Sequence, residues 1–75
     1  MKELVEYIAR QLVDDPAAVS VDEWRQGDRV VLRLHVAEGD MGRVIGKQGR
    51  IAQAIRTLLR VPAAHDHVYA VLEIG

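Results

Sequence analysis

Residues 44–51 read Val-Ile-Gly-Lys-Gln-Gly-Arg-Ile, so that two glycines, Gly46 and Gly49, stand three positions apart with an isoleucine close to either side. Glycine has no Cβ, and this spacing therefore permits a turn too tight for other residues and lets another backbone approach closely. Lys47 and Arg50 add positive charge at the same turn. The stretch predicts a loop that either only joins two elements or also holds an anion.

The sequence on both sides of this loop predicts helices. Asp40 is well placed to cap a short helix that runs to about Ile45. After the loop, apolar residues at helical spacing predict a longer helix with a basic outer face, and Pro62 is expected to end it. Its apolar positions are Ile51, Ala52, Ile55, Leu58 and Leu59, and its outer positions are Arg50, Gln53, Arg56 and Arg60. The first turn of this helix presents free N–H groups and the positive dipole end at the loop, which favours a phosphate.

The remaining segments predict one further helix and three strands. Apolar residues follow a helical period first, and later segments alternate or are rich in β-branched residues. The predicted ranges are a helix over 2–13 ended by Asp14-Asp15-Pro16, strands over 19–25 and 30–36 joined by a turn at 26–28, and a strand over 67–74. The order helix, strand, strand, helix, helix, strand predicts an α+β fold in which three helices cover one face of a three-stranded sheet.

The charge of this chain is unevenly distributed, although the net charge is only -1. Residues 41–60 hold five basic residues and no acid, a local charge of +5, while the rest of the chain carries five basic residues against all 11 acids, or -6. A polyanion responds to the local field within about 10 Å at ordinary salt. One end of the molecule is therefore expected to be basic and suited to nucleic acid.

Length and composition limit the remaining possibilities. At 75 residues the chain predicts a single domain over residues 1–75, and a domain of this size buries only about 60% of its unfolded surface, so that a partner subunit would add stability. No apolar run approaches the roughly 18 residues of a membrane span. The chain has no cysteine. We expect a cytoplasmic protein without a membrane span or disulfides.

The sequence offers few residues from which a catalytic or metal site could be built. Ser20 and Thr57 are the only residues of their kinds, and neither has a base at a spacing that implies an arranged pair. His65 and His67 stand two apart, as ligands on one side of a strand would, but no third ligand accompanies them. We therefore expect no enzymatic activity, no cofactor and no metal.

The stretch over residues 44–51 resembles the signature of KH domains, in which a GXXG loop joins two helices and clamps about four nucleotides of single-stranded RNA. The predicted element order is that of the bacterial, type II KH arrangement over essentially the whole chain. The sequence is similar to the small bacterial single-KH-domain RNA-binding proteins of the KhpA type. This resemblance implies an RNA chaperone that forms a homodimer, pairs with a larger KhpB-type protein, and influences cell-wall homeostasis and cell shape.

The resemblance also implies that the GXXG tetrad contacts the RNA backbone, and that RNA lies in a groove between the loop-helix unit and an edge of the sheet. Phenylalanine is absent and there are only three other aromatic residues, so bases are expected to lie on aliphatic side chains. Val31 or Leu32 is a further candidate for that surface. The predicted RNA-binding residues are Arg43, Ile45, Gly46, Lys47, Gln48, Gly49, Arg50 and Ile51.

Two other classes of function stay open at this point. The first is a module that dimerises or binds a protein through an apolar helix face or a sheet edge. The apolar residues Leu58, Leu59 and Val61, near the end of the last predicted helix, suggest this function. The second is an enzyme domain that grips a phosphorylated cofactor, which would need a nucleophile or acid near the loop. Residues 41–60 offer only Thr57.

Overall fold

The computed structural model describes all 75 residues and contains three α-helices and three strands. In chain order they are α1 (Lys2–Leu12), β1 (Ser20–Gln26), β2 (Arg29–His35), α2 (Met41–Ile45), α3 (Arg50–His65) and β3 (Tyr69–Ile74). Single 3-10 turns precede β1, α2 and α3, at Pro16–Ala18, Glu38–Asp40 and Lys47–Gly49. The predicted α+β fold and its element order are confirmed.

The three strands form a mixed sheet in the order β1-β2-β3. β1 runs antiparallel to β2 and pairs Val21 with Leu34, whereas β3 runs parallel to β2 and pairs Leu72 with Leu32. Since paired residues share a face of a sheet, these four side chains lie on the same side. All of them belong to the buried core, together with residues from each helix: Val5 and Ala9 of α1, Val44 of α2, and Ile55, Leu59 and Ala63 of α3.

The face of the sheet that points away from the helices carries its own small cluster. Trp24, Val31 and Val71 form one row across the three strands. The guanidinium of Arg33 lies 5.6 Å from the centre of the Trp24 ring, within the range of a cation–π contact. Val31 is buried without being part of the core under the helices. Neighbouring side chains on this open face shield Val31 from solvent.

The prediction that Pro62 ends the last helix is wrong, because α3 continues to His65. Proline removes one helical hydrogen bond, but Ala63 is buried in the core and the Pro62 carbonyl still accepts the N–H of Asp66 at 3.1 Å. His67 then takes a left-handed conformation with φ of 57°. The helix thus ends three residues beyond Pro62, and tertiary packing is the reason.

A pair of hydrogen bonds closes this end of α3. The N–H of Val68 donates to the Ala63 carbonyl at 2.9 Å, and the N–H of His67 donates to the Ala64 carbonyl at 3.1 Å. This is the Schellman arrangement, in which a left-handed residue, usually glycine, follows the helix. β3 begins only at Tyr69, so His65 and His67 do not share one side of a strand as the sequence suggested.

Asp40 stands at the N-cap of α2, as predicted, but its side chain does not cap that helix. The buried carboxylate instead accepts the N–H of Asp14 at 3.2 Å and that of Asp15 at 3.1 Å. These amides lie directly after α1. Asp40 therefore fixes the end of α1 to the start of α2, a long-range contact in place of the expected local one.

Candidate nucleic-acid interface

The loop between α2 and α3 is held in a conformation that requires glycine. Gly46 has φ of 76° and ψ of 173°, and Gly49 has φ of 73°. A Cβ on Gly46 would lie 2.6 Å from the Cγ1 of Ile51 and 2.9 Å from its backbone nitrogen, closer than Cβ contacts occur. A Cβ on Gly49 would meet open space. The first glycine lets the start of α3 approach the end of α2, and the second needs only its positive φ.

Exposed polar and basic side chains surround this loop. Lys47, Gln48 and Arg50 are all exposed, and Gln48 adopts a left-handed conformation with φ of 58°. The Arg50 Nη2 donates to the Gln48 Oε1 at 3.2 Å. Neither Lys47 nor Arg50 has a carboxylate within ion-pair distance, unlike Arg10, Arg33 and Arg43. The first turn of α3 begins at Arg50, so its N–H groups and unbalanced positive charge lie together.

Arg43 differs from the other predicted site cations because it already has anionic partners. Its Nη2 lies 3.0 Å from the Asp14 Oδ2, and its Nε lies 3.6 Å from the Asp40 Oδ1. The structure therefore places Arg43 near the loop but engages its guanidinium with the carboxylates that fix α1 to α2. A phosphate would have to compete for it.

The predicted apolar surface is only partly present. Ile45 and Ile51 are half-buried on either side of the loop, which leaves part of each side chain accessible. Leu32, by contrast, is fully buried in the core, and Val31 is buried on the opposite face of the sheet. The suggestion that Val31 or Leu32 extends a base-binding surface is wrong, because neither faces the loop.

A cavity of about 340 Å³ lies between α3 and β3, further along the helix from the loop. Arg56 and Arg60 line its helical side, and Tyr69 and Ala70 line its strand side. β3 is an edge strand, so one row of its backbone groups has no neighbouring strand. The Arg56 Nη2 donates to one of these groups, the Leu72 carbonyl, at 3.1 Å. Loop and cavity together form a basic groove along one edge of the sheet.

The family described as "KhpA/KhpB, KH domain" matches residues 2–74. The chain belongs to this KH-domain family. It is 51% identical over 74 residues to the RNA-binding protein KhpA of Caldanaerobacter subterraneus subsp. tengcongensis, which covers 99% of both chains. The RNA-binding protein KhpA of Chlamydia trachomatis serovar D is 46% identical, covering 99% of this chain and 95% of the relative.

A third relative, the RNA-binding protein KhpA of Treponema pallidum, is 48% identical over 73 residues, covering 97% of this chain and 91% of the relative. No solved structure gives a significant match. The predicted resemblance to the KhpA type is confirmed by these findings. The KH fold is also confirmed, since the mixed three-stranded sheet and three helices are those expected of it.

Within this KH fold, three residues that line the groove were not among the predicted RNA-binding residues: Arg56, Arg60 and Tyr69. The two arginines are one helical turn apart, and this spacing was a usable signal for a shared face. Tyr69 gave no signal, because its position beside α3 depends on which strand forms the edge of the sheet. These residues extend the basic region beyond the predicted tetrad.

The outer flank of α3 is apolar and lies away from the two arginines. Leu58 is 54% exposed and Val61 is 76% exposed. Of the apolar face that the sequence predicts for this helix, Ile55 and Leu59 are buried and Leu58 is exposed. None of the helices is long and apolar enough to cross a membrane.

Proposed function

We propose that this chain binds single-stranded RNA by holding the sugar-phosphate backbone against the loop of residues 46–49. The observation that carries the proposal is the unbalanced charge of Lys47 and Arg50 beside a glycine turn at the N-terminus of α3. Membership of the KhpA/KhpB KH-domain family supports it, as does the name RNA-binding protein carried by the curated relatives.

Each residue of the loop would have a different role in RNA binding. Gly46 and Gly49 shape the turn, and Lys47 and Arg50 neutralise phosphate from the solvent side. Gln48, which accepts a hydrogen bond from Arg50, orients that guanidinium. The half-buried Ile45 and Ile51 offer an apolar edge to a base. Arg43 contributes less than Lys47, because Asp14 and Asp40 already balance its charge.

The test is fluorescence anisotropy of labelled single-stranded RNA with the wild-type chain and with the double variant Lys47→Asp, Gln48→Asp. Both positions are exposed, so circular dichroism is expected to show an unchanged fold. The wild type is expected to bind with a Kd on the order of micromolar, about -8 kcal/mol, and the variant to lose most of that affinity.

The matched control is the double variant Lys2→Asp, Gln11→Asp. It changes the net charge by the same amount at exposed positions of α1, which packs against β1 at the opposite edge of the sheet from β3. This control is expected to keep nearly all RNA affinity. Equal loss of binding in both variants would show that only total charge matters and would refute the loop as the site.

We also propose the finer roles that the family suggests: an RNA chaperone that acts in the cytoplasm with a larger KhpB-type partner and influences cell-wall homeostasis and cell shape. The support is the family itself, whose description joins KhpA with KhpB. Co-purification of a KhpB-type protein with the tagged chain, before and after ribonuclease treatment, tests the partnership. Recovery that needs RNA would argue against direct contact.

A second candidate function is dimerisation or protein binding through the outer flank of α3, with little RNA affinity of its own. The exposed Leu58 and Val61 favour it, since large apolar side chains seldom lie together in solvent without a partner. Sedimentation velocity is expected to show a dimer that Val61→Asp dissociates and that Gln53→Asp, at an exposed polar position of the same helix, leaves intact. A monomeric wild type at all concentrations would dismiss this function.

A further inference from the structure

We propose that the face of the sheet opposite the helices, the open face, is a second contact surface for single-stranded RNA, where bases stack on the rings of Trp24 and Tyr69. This inference rests on the RNA-binding function proposed above and adds a surface that lies outside the loop and the groove. Three features carry it: two exposed aromatic rings, an arginine without an acidic partner, and the continuity of this face with the groove at β3.

Two of the three aromatic side chains of the chain lie on the open face. Tyr69 pairs with Arg29, in the row next to that of Trp24, Val31 and Val71, and paired residues share a face of the sheet. Tyr69 is 69% exposed and Trp24 is 38% exposed, so both rings are accessible to a base. Exposed aromatic rings on a sheet are a surface on which the bases of a single strand stack.

The Trp24 ring is held in place from one side. The Arg33 guanidinium lies 5.6 Å from the ring centre, and its Nε and Nη2 donate to the Glu73 Oε1 at 3.1 and 2.8 Å. Glu73 thus fixes Arg33, and Arg33 restrains the ring through a cation–π contact. Because the ring is already oriented, less conformational entropy is lost when a base stacks on its exposed part.

Charge on the open face also suits a phosphate at the end that carries Tyr69. Both acids of this face have partners, Glu73 as described above and Asp22 with the His35 Nε2 at 3.0 Å. Arg29, in the row of Tyr69, is exposed and has no carboxylate within ion-pair distance. A phosphate can therefore bind Arg29 without displacing an ion pair.

A second copy of the chain fits this face poorly. Two sheets that stack through the same face are related by a two-fold axis between them, which runs either along β2 or across the strands. The first axis places Arg29 and Arg33 each against its own counterpart, and the second places Arg29 against Arg33. Like charges that oppose each other in this way destabilise the pairing. The face is thus complementary to an anion and not to itself.

Tyr69 joins the open face to the groove, because it lies on an edge strand and also lines the cavity beside α3. α3 has 16 residues, so this end of the groove lies about 24 Å from the loop. At a stacked rise of about 3.4 Å, the roughly four nucleotides that a KH loop clamps span about 14 Å, and about twelve nucleotides span about 41 Å. Only the longer RNA reaches from the loop to the open face.

The experiment uses Trp24 as its own probe, because it is the only tryptophan in the chain. RNA of alternating adenine and cytosine, about four or about twelve nucleotides long, is added to the wild-type chain. Tryptophan fluorescence reports stacking, and anisotropy of labelled RNA reports binding. Both RNAs are expected to bind, but only the longer one is expected to quench Trp24. Binding of the longer RNA without quenching would overturn the proposal and leave the proposed function standing.

Tyr69→Ala is expected to weaken binding of the longer RNA roughly 5- to 150-fold, the range for one stacked base, and to leave binding of the shorter RNA unchanged. The matched control is Tyr7→Ala, which removes a ring that is 64% exposed on α1 and is expected to keep both affinities. Equal affinities of the two variants for the longer RNA would overturn the proposal.

The rival occupant of the open face has its own signature. Quenching of Trp24 by raised protein concentration in the absence of RNA would assign the face to a second copy and would also overturn the proposal. Failure of the proposed function is a distinct result, in which neither RNA binds, and it would refute both.

Discussion

At the scale of single residues, glycine is needed at the two loop positions for different structural reasons. Gly46 combines a positive φ with an extended ψ, a region that only glycine populates readily, and it also touches the backbone of Ile51. Gly49 has an ordinary left-handed conformation and open space where a Cβ would stand. Glycine is therefore required at position 46 for steric reasons, whereas at position 49 it is preferred for its backbone conformation.

We expect Gly46→Ala to lower the free energy of unfolding by about 3 kcal/mol or more, because the added methyl group meets Ile51 and the backbone is strained. Gly49→Ala is expected to cost only about 1 kcal/mol, the penalty of a left-handed alanine. Urea unfolding followed by circular dichroism measures both. Equal losses in the two variants would contradict the assignment of the close approach to Gly46.

Asp40 provides a second prediction for a single residue. Asp40→Ala leaves the N–H groups of Asp14 and Asp15 without their acceptor and is expected to cost about 2 kcal/mol in stability. Glu38→Ala, at an exposed neighbouring position, is the control and is expected to change stability by less than about 0.5 kcal/mol. Chemical denaturation compares the two. An effect of Asp40→Ala no larger than the control would show that solvent replaces its carboxylate.

At the scale of elements, α3 connects the loop, the core and the groove. Its buried side holds Ile55 and Leu59, one flank carries Arg56 toward β3, and the other exposes Leu58 and Val61. The C-terminal end of the helix is fixed by the bonds from His67 and Val68, not by Pro62. These hydrogen bonds lie directly before β3 and so help to fix where the strand that borders the groove begins.

The element-scale prediction concerns His67, which holds a left-handed conformation with a bulky side chain. His67→Gly is expected to raise stability by about 0.5 to 1 kcal/mol, since the left-handed penalty of roughly 1–2 kcal/mol outweighs the extra backbone entropy of glycine. Thermal and urea unfolding measure the change. His65→Gly, inside the helix, is the opposite control and is expected to lower stability by up to about 1 kcal/mol.

At the scale of the whole molecule, positive and negative charge are separated along the chain, and the loop and groove beside β3 hold four of the ten basic residues. The groove beside β3 carries Lys47, Arg50, Arg56 and Arg60 without ion-pair partners, whereas the arginines elsewhere that have partners neutralise acids near them. The near-zero net charge thus results from two regions of opposite sign. A polyanion that docks along the groove would meet mainly positive field.

The salt dependence of RNA binding tests this separation. If the loop and α3 neutralise about three phosphates, the logarithm of affinity falls against the logarithm of salt with a slope of about -2, roughly sixteenfold between about 50 and 200 mM. Lys47→Asp with Gln48→Asp is expected to make the slope shallower. Anisotropy titrations over a salt series measure it, and a flat series would show that phosphates contribute little to binding.

The amino-acid sequence by itself determined the local features of this protein. The helix over α1, the hairpin turn, the glycine loop and the order of elements each follow from spacing within a short segment, where glycine, proline and hydrophobic period act directly. The predicted tetrad also needed only local information, because the turn between two helices places its own side chains outward. The family resemblance rests on the glycine loop and on the predicted order of elements.

Only the tertiary structure decided which partners those residues meet. Leu58 is exposed and Ile55 buried because of where the sheet lies beneath α3, and Arg43 is engaged because the end of α1 brings Asp14 beside it. Arg56 reaches the Leu72 carbonyl only because β3, and not β1, forms the edge next to α3. Contacts between distant segments depend on how the elements pack, and no local pattern of residue types encodes that packing.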